Sequence, residues 1–298
     1  MSILIDKETR LLIQGVTGNE GARTCRESLA YGTPVLAGVT PGKGGEMVEG
    51  VPVYNTVAEA LTAHPEINTS LVVVPARFAM DAALESIRAS IPLVVILTEH
   101  IPTQDTARML AEARRCGIRV VGPSSVGIIS PGKAKIGSIG SGEMVKVYSP
   151  GSVGVLSKSG GMTSEIALAL TNAGLGQSTA VGIGADILIG SDFTDLLTLF
   201  AEDAETTAVV LFGEVGGTYE EQAADYIKKN SFSKPVVALI AGEFADTLTD
   251  GTVLGHAGTI VAKGRGSYAS KVQALTAAGV TIVSTVEEIS PALKRILT

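Results

Sequence analysis

The chain has 298 residues, of which 45% are hydrophobic and 18% charged, and a formal net charge of −7 at pH 7. This length suggests two domains, each with its own core, and the composition excludes a disordered chain. The acidic charge argues against a broad surface for nucleic acid or membrane, because such surfaces are basic. The N-terminus is charged too early for a signal peptide, and no apolar run is long enough to span a membrane. We therefore expect a cytoplasmic protein, or one of an organelle matrix.

In the first part of the chain, short β-branched runs alternate with amphipathic stretches. This alternation is typical of a parallel sheet with helices on both faces. Helical patterns are expected between the strands, for example at Gly21–Tyr31 and Thr103–Cys116. The expected strands are Arg10–Gln14, Pro34–Val39, Ser70–Val74, Leu93–Leu97 and Arg119–Val121.

A stretch rich in Gly, Pro and Ser then separates two α/β series, and we interpret it as a linker with one small hairpin. The expected divisions are a domain over residues 1–125, a linker over 126–151 and a second domain over 152–298. The sequence predicts a Rossmann-like α/β domain followed by a flavodoxin-like α/β domain, both with mostly parallel sheets. Strands of the second domain are expected at Val153–Leu156, Ala180–Ile183, Ala208–Phe212, Val236–Ile240 and Thr281–Val283.

A glycine cluster, GVTGNEG from Gly15 to Gly21, follows the first strand and opens the first helix. Glycines there let a backbone approach phosphate at a helix N-terminus. The spacing differs from the dinucleotide pattern G-x-G-x-x-G, so a tight turn without a ligand is an alternative. The second strand does not end in the acidic residue that hydrogen-bonds the ribose in dinucleotide-binding domains. It is followed instead by Lys43, which lies among glycines. This favours a phosphate-rich ligand other than NAD.

Three loops of the second domain are expected to meet at one edge of its sheet: Ser157–Gly161, Gly213–Gly217 and Gly255–Gly258. The last contains His256, whose small neighbours leave its ring free to react as a nucleophile toward a phosphoryl group. Glu214 is the expected carboxylate that fixes its tautomer. A helix N-terminus after Ser157–Gly161 would stabilise a transferred phosphate. A purely structural loop histidine is the alternative. The two cysteines have no metal-type spacing, and no metal site is expected.

Over essentially its whole length the chain resembles the α subunit of succinyl-CoA synthetase and its relatives. The segments that carry the resemblance are the opening SILIDKETRLLIQGVTGNEG, GVTPGKGG, the strand end Leu97–Glu99, GEVGG and GHAG. The resemblance implies that ATP or GTP with Mg, held by a β subunit of ATP-grasp type, phosphorylates His256. The phosphoryl group then passes to a small carboxylic acid, and CoA attacks the acyl phosphate. An αβ or (αβ)₂ assembly is implied.

The same resemblance implies roles for individual residues. Glu214 would hold His256, and Ser159, Gly160 and Gly161 would face the phosphate. CoA would be bound by Thr17, Gly18, Asn19, Glu20, Lys43, Leu97, Thr98 and Glu99.

Departures from the family pattern bear on the acid. Ser164 stands where the family has a tyrosine that contacts succinate, and the smaller side chain is expected to open space beside the acyl phosphate for a larger acid. GPSSVG replaces GPNCPG, and a longer acidic loop, residues 243–254, replaces APKGKRM. These segments resemble ATP-citrate lyase and citryl-CoA synthetase, and we therefore expect citrate as the acid. Ala185 replaces a usual glycine of GIGGD. The alternatives are succinate or malate as the acid, a non-catalytic CoA-binding regulatory protein, and an NAD-dependent dehydrogenase.

Overall fold

The fold is taken from a computed structural model that describes residues 2–140, 144–261 and 264–297. The predicted linker contains residues 141–143, and the second predicted domain contains residues 262, 263 and 298, all outside the described residues. Within the described parts of the chain, no helix is long and apolar enough to cross a membrane.

The first half forms a Rossmann-type sheet in the order β3-β4-β2-β1-β5-β6-β7, with all neighbours parallel except β3 and β4. The central strands are buried along their whole length because helices cover both faces, as the apolar runs predicted. Its strands are β1 (Leu11–Gln14), β2 (Val35–Val39), β3 (Met47–Val48), β4 (Val51–Tyr54), β5 (Thr69–Val72), β6 (Leu93–Ile96) and β7 (Arg119–Val121). Its helices are α1 (Asn19–Tyr31), α2 (Val57–Ala63), α3 (Ala76–Arg88) and α4 (Thr103–Cys116).

The second sheet has the order β14-β13-β12-β10-β11-β8-β9, and its five parallel strands follow the flavodoxin order. Its strands are β8 (Gly127–Ser130), β9 (Ala134–Ile136), β10 (Pro150–Ser157), β11 (Gln177–Gly182), β12 (Ala208–Glu214), β13 (Val236–Ala241) and β14 (Thr281–Val283). The helices are α5 (Met144–Val147), α6 (Gly160–Asn172), α7 (Phe193–Glu202), α8 (Tyr219–Lys229), α9 (Tyr268–Ala277) and α10 (Val286–Leu297), with a 3₁₀ helix at Glu243–Thr247.

The hairpin expected inside the linker is present as β8 and β9, but it extends the second sheet. β8 pairs antiparallel with β11, and β9 pairs antiparallel with β8. Every residue of both strands is buried. The segments GIIS and AKI therefore extend the second sheet at its edge, whereas the surrounding glycines and prolines indicated a hairpin within a linker.

Each sheet has a topological switch point, where consecutive strands leave on opposite sides of a central strand. In the first sheet it lies between β1 and β5, and in the second between β10 and β12. Open α/β sheets bind ligands at the carboxyl ends of the strands beside such points. Three of the loops singled out in the sequence follow β1, β10 and β12, and the loop that contains His256 comes after β13.

Candidate active site

His256 lies at the tip of a short hairpin that projects from the second domain. The Leu254 amide donates to the Thr259 carbonyl at 2.9 Å, and the Val261 amide donates to Thr252 at 2.8 Å. The turn is closed by the Thr259 amide, which donates to the His256 carbonyl at 3.0 Å. The small residues beside His256 leave its side chain 42% exposed, so the ring is accessible to a second molecule.

His256 and Glu214 are brought together, as the sequence predicted for this pair. The Nδ1 atom of His256 lies 2.8 Å from Oε2 of Glu214. Glu214 ends β12, and its side chain is only 11% exposed, so the strand fixes where the carboxylate points. A carboxylate acceptor places the imidazole proton on Nδ1 and leaves the Nε2 lone pair free.

The acidic segment before His256 is folded against the same loops. Val215, Ala245 and Val261 form a small buried cluster. The carboxylate of Asp246 accepts hydrogen bonds from the amides of Tyr268 and Ala269, both at 3.1 Å, in the first turn of α9. Carboxylates are stabilised at helix N-termini, so this contact anchors the segment that leads into the His256 hairpin.

Two cavities flank the Glu214–His256 pair. One has Phe244, Leu254 and His256 in its wall. The other, of about 90 Å³, has Lys158 and Tyr219 in its wall. Glu214 lines both cavities.

Helix α6 presents its N-terminus at the switch point of the second sheet. Ser159 is the N-cap, and its hydroxyl accepts a hydrogen bond from the Met162 amide at 3.4 Å. Gly161 is exposed, with nothing within 4 Å of the position that a Cβ would take. A Cβ on Gly160 would lie 2.2 Å from Cγ1 of Val126. The first turn of α6 is thus open to an anion at Gly161 and closely packed at Gly160.

Ser164 lies one turn further along α6. Its hydroxyl is 3.2 Å from the hydroxyl of Tyr148, a residue that is only 3% exposed. Ser164 is not among the described residues that line either cavity beside Glu214. The space that this serine was expected to open beside the acid is therefore not seen as part of those cavities.

The predicted CoA residues collect in a cleft of the first domain. The cleft is formed by the loops after β1, β5 and β6 and by residues of the segment after β7. Thr98 donates its hydroxyl to the Val74 carbonyl at 2.7 Å, which ties two of these loops together. Six of the eight predicted residues line the cleft: Gly18, Asn19, Glu20, Leu97, Thr98 and Glu99.

The other two predicted CoA residues lie outside the wall of that cleft. The hydroxyl of Thr17 donates to that of Thr40 at 3.2 Å, beside the end of β2. Lys43 is exposed, and its Nζ is 2.9 Å from Oε1 of Glu46. A ligand phosphate that recruits Lys43 would have to compete with this surface carboxylate.

Val126 connects the two candidate sites. It lines the CoA cleft and also packs against Gly160 at the N-terminus of α6. A thiol at the inner end of the cleft would therefore approach the first turn of α6. Val126 is noted in the sequence only as part of the segment GPSSVG, because a lone valine in a loop carries no chemical signal.

The alanine that departs from the family pattern has a backbone explanation. Gly184 has φ +100, and a Cβ there would lie 2.1 Å from the Pro123 carbonyl, so this position requires glycine. Ala185 has no such strained backbone and is tolerated. Its carbonyl accepts a hydrogen bond from the Gly258 amide at 2.9 Å, which holds the His256 hairpin.

Comparisons with known proteins identify the family. A family model described as a CoA binding domain matches residues 6–100, and one described as CoA-ligase matches residues 156–281. The succinate–CoA ligase (ADP-forming) subunit alpha 2 of Archaeoglobus fulgidus is 46% identical over 100% of both chains. The chain belongs to the family of succinate–CoA ligase α subunits. The corresponding subunit of Methanothermobacter thermautotrophicus is 48% identical over 94% of this chain and 92% of its own.

Solved structures also resemble this family member. The ATP citrate lyase of Methanosaeta concilii, in complex with (3S)-citryl-CoA, aligns with a TM-score of 0.90 and 25% identity over 99% of this chain. That of Methanothrix soehngenii, with citrate and coenzyme A, aligns with a TM-score of 0.89 and 25% identity. This chain spans about half of each lyase chain, 52% in both cases.

Membership of the succinate–CoA ligase α family makes the protein a subunit of an acid–thiol ligase with CoA as a substrate. The dehydrogenase alternative is excluded by it. The comparisons do not support the expected preference for citrate over succinate. The relatives that are 44–48% identical are succinate–CoA ligases.

Proposed function

We propose that this chain joins succinate to CoA through a phosphohistidine on His256, with the nucleotide and its Mg held by a β subunit of ATP-grasp type. The observation that carries the proposal is the 2.8 Å contact between Nδ1 of His256 and the Glu214 carboxylate on an exposed loop. That contact leaves Nε2 as the nucleophile. The β subunit follows from the relatives, which are named as α subunits.

In the first step, Nε2 of His256 attacks the γ-phosphorus of ATP or GTP. A phosphorus–nitrogen bond forms, the bond to the bridging oxygen breaks, and the nucleoside diphosphate leaves. Glu214 holds the Nδ1 proton throughout and stabilises the positive charge that develops on the ring. This charge compensation is the reason for a buried carboxylate behind an exposed histidine.

In the second step, a carboxylate oxygen of the acid attacks the phosphorus, the phosphorus–nitrogen bond breaks, and the imidazole returns to its neutral form. The acyl phosphate then lies against the first turn of α6, whose free amides complement its charge. In the third step the CoA sulfur attacks the acyl carbon. The phosphate leaves and takes up the thiol proton.

Citrate is the second candidate for the acid. It is favoured by the likeness to the ATP citrate lyase structures and by the longer loop before His256. Two observations count against citrate. The relatives that are 46–48% identical are succinate–CoA ligases, and Ser164, which was expected to open space for the larger acid, lines neither cavity beside Glu214.

The experiment is to copurify this chain with its β subunit and measure CoA-dependent release of nucleoside diphosphate with succinate, citrate and malate. We expect kcat/KM for succinate to exceed that for citrate at least about tenfold, because an acid site discriminates through individual polar contacts. The His256→Ala variant is the control and should release none. Activity with citrate alone would overturn succinate in favour of the second candidate, and release that does not depend on His256 would overturn the mechanism.

A further inference from the structure

Four charged side chains are buried directly beneath Glu214. Lys158 is 7% exposed, and Glu220, Glu221 and Lys271 are 1%, 5% and 0% exposed. Two carboxylates and two ammonium groups balance to zero. Burying charge is costly, so groups this deep are held by one another and by hydrogen bonds.

Glu220 is the centre of this group. Its Oε1 accepts a hydrogen bond from the Glu214 backbone amide at 3.2 Å and lies 2.8 Å from Nζ of Lys158. Its Oε2 pairs with Lys271, which also donates to the Gly217 carbonyl at 3.0 Å. Glu220 and its partner therefore bind both ends of the loop that presents Glu214.

The charge on Glu220 is stable in this setting. Burial alone would raise the pKa of its carboxyl group, but the ammonium groups of Lys158 and Lys271 outweigh that effect and the pKa is lowered. Glu220 is thus an anion at neutral pH, and it neutralises Lys158, the residue directly after β10.

Lys158 is placed where it could compete with the histidine. It lines the 90 Å³ cavity that Glu214 and Asp186 also line. Glu220 holds its Nζ on one side, and the ring of Tyr219 faces it at 5.5 Å from the centroid. Glu214 lines the same cavity, so a lysine released from Glu220 would be free to pair with its carboxylate.

We propose that Glu220 is a positioning residue of the phosphohistidine site, which fixes the Glu214 loop and keeps Lys158 away from Glu214. The Glu214 carboxylate is thereby left to Nδ1 of His256. This role rests on the proposed function, and it makes the buried charges part of the catalytic arrangement rather than of the domain core alone.

The test uses the complete complex with the β subunit and measures the single-turnover rate of His256 phosphorylation from labelled ATP or GTP. We expect Glu220→Gln, which keeps the shape but frees Lys158, to slow phosphorylation by about tenfold or more. Adding Lys158→Met should restore the rate to within about threefold of wild type, because the competing charge is then gone. CoA affinity, measured on the same preparations, reports whether the first domain is intact.

Glu221→Gln is the matched control. It removes an equally buried carboxylate from the same helix, and the described hydrogen bonds and ion pairs of Glu221 go to Lys271, Gly266 and Ser270. We expect it to lower the melting temperature as Glu220→Gln does, while the phosphorylation rate stays within about threefold of wild type.

The outcomes separate this proposal from the proposed function. A Glu220→Gln variant that is phosphorylated as fast as wild type would overturn the positioning role alone. So would a slow variant that Lys158→Met fails to rescue, since a merely structural role predicts no rescue. Absence of phosphate on wild-type His256 would overturn the proposed function and this role with it.

Discussion

Glu27 of α1 pairs with Lys135 of β9 at 2.6 Å, and this ion pair joins the first domain to the edge of the second sheet. The Lys135 side chain is 0% exposed, and that of Glu27 is 19% exposed. Burial lowers the pKa of Lys135, and the Glu27 carboxylate opposes that shift. The same contact region includes Thr33, whose hydroxyl exchanges hydrogen bonds with the Lys135 backbone at 2.8 and 3.0 Å.

Loss of the Glu27 carboxylate should therefore loosen the domain interface. We expect Glu27→Gln to lower the free energy of unfolding by about 3 kcal/mol, because it leaves the Lys135 charge buried without its carboxylate. Adding Lys135→Met should recover most of the loss. Urea denaturation of the full chain measures both. An exposed pair, Asp225 with Arg265 at 4.0 Å, supplies the control Asp225→Asn, which should leave the midpoint unchanged.

Substitutions at Gly160 and Gly161 separate the effect of packing from that of anion binding at the N-terminus of α6. Gly160→Ala should cost about 1–3 kcal/mol, because the new Cβ would overlap Val126. Gly161→Ala should leave stability unchanged or raise it by about 0.5 kcal/mol, since alanine favours a helix and nothing occupies that space. Thermal unfolding measures both effects. Gly161→Ala should nevertheless slow acyl transfer, because the new Cβ would enter the space proposed for the phosphate. An unchanged rate of acyl-CoA formation would contradict a phosphate at this helix terminus.

Glu214→Gln tests the carboxylate behind the histidine. The amide keeps the size of the side chain but loses the charge that balances the ring during phosphoryl transfer. We expect phosphorylation of His256 to fall roughly a hundredfold. CoA binding should be unchanged, because the cleft lies in the other domain. Rapid-quench kinetics of phosphoenzyme formation measure this rate. A decrease in the rate of less than about threefold would mean that Glu214 only packs against the ring.

The two cysteines should differ sharply in reactivity. Cys25 is buried in α1, and burial raises the pKa of its thiol to about 11, whereas Cys116 is partly exposed. Because the thiolate is the reactive form, a thiol reagent at about pH 8 should label Cys116 in the folded chain and Cys25 only after denaturation. Peptide mass spectrometry measures the ratio. Equal labelling of both in the folded state would show that α1 opens readily.

The features that could be predicted from the sequence are those that depend on local sequence patterns. Apolar runs indicated the parallel strands, and loops at strand ends indicated that His256 and Glu214 would meet although 42 residues separate them. It did not predict Lys135, because glycines and prolines around β8 and β9 resemble a linker. Nor did it predict Glu220, because acidic residues in the first turn of a helix ordinarily face solvent. The carboxylate is buried because the tertiary fold brings Lys158 and Lys271 of α9 against it.

Phosphate on His256 is the most direct evidence for the proposed mechanism. The copurified complex is incubated with ATP or GTP labelled at the γ-phosphate and then chased with succinate and CoA. We predict acid-labile phosphate on the peptide that contains His256, discharged by succinate with CoA and absent from His256→Ala. A folded complex that binds CoA but never carries phosphate on His256 would contradict the phosphohistidine mechanism and favour a non-catalytic CoA-binding protein.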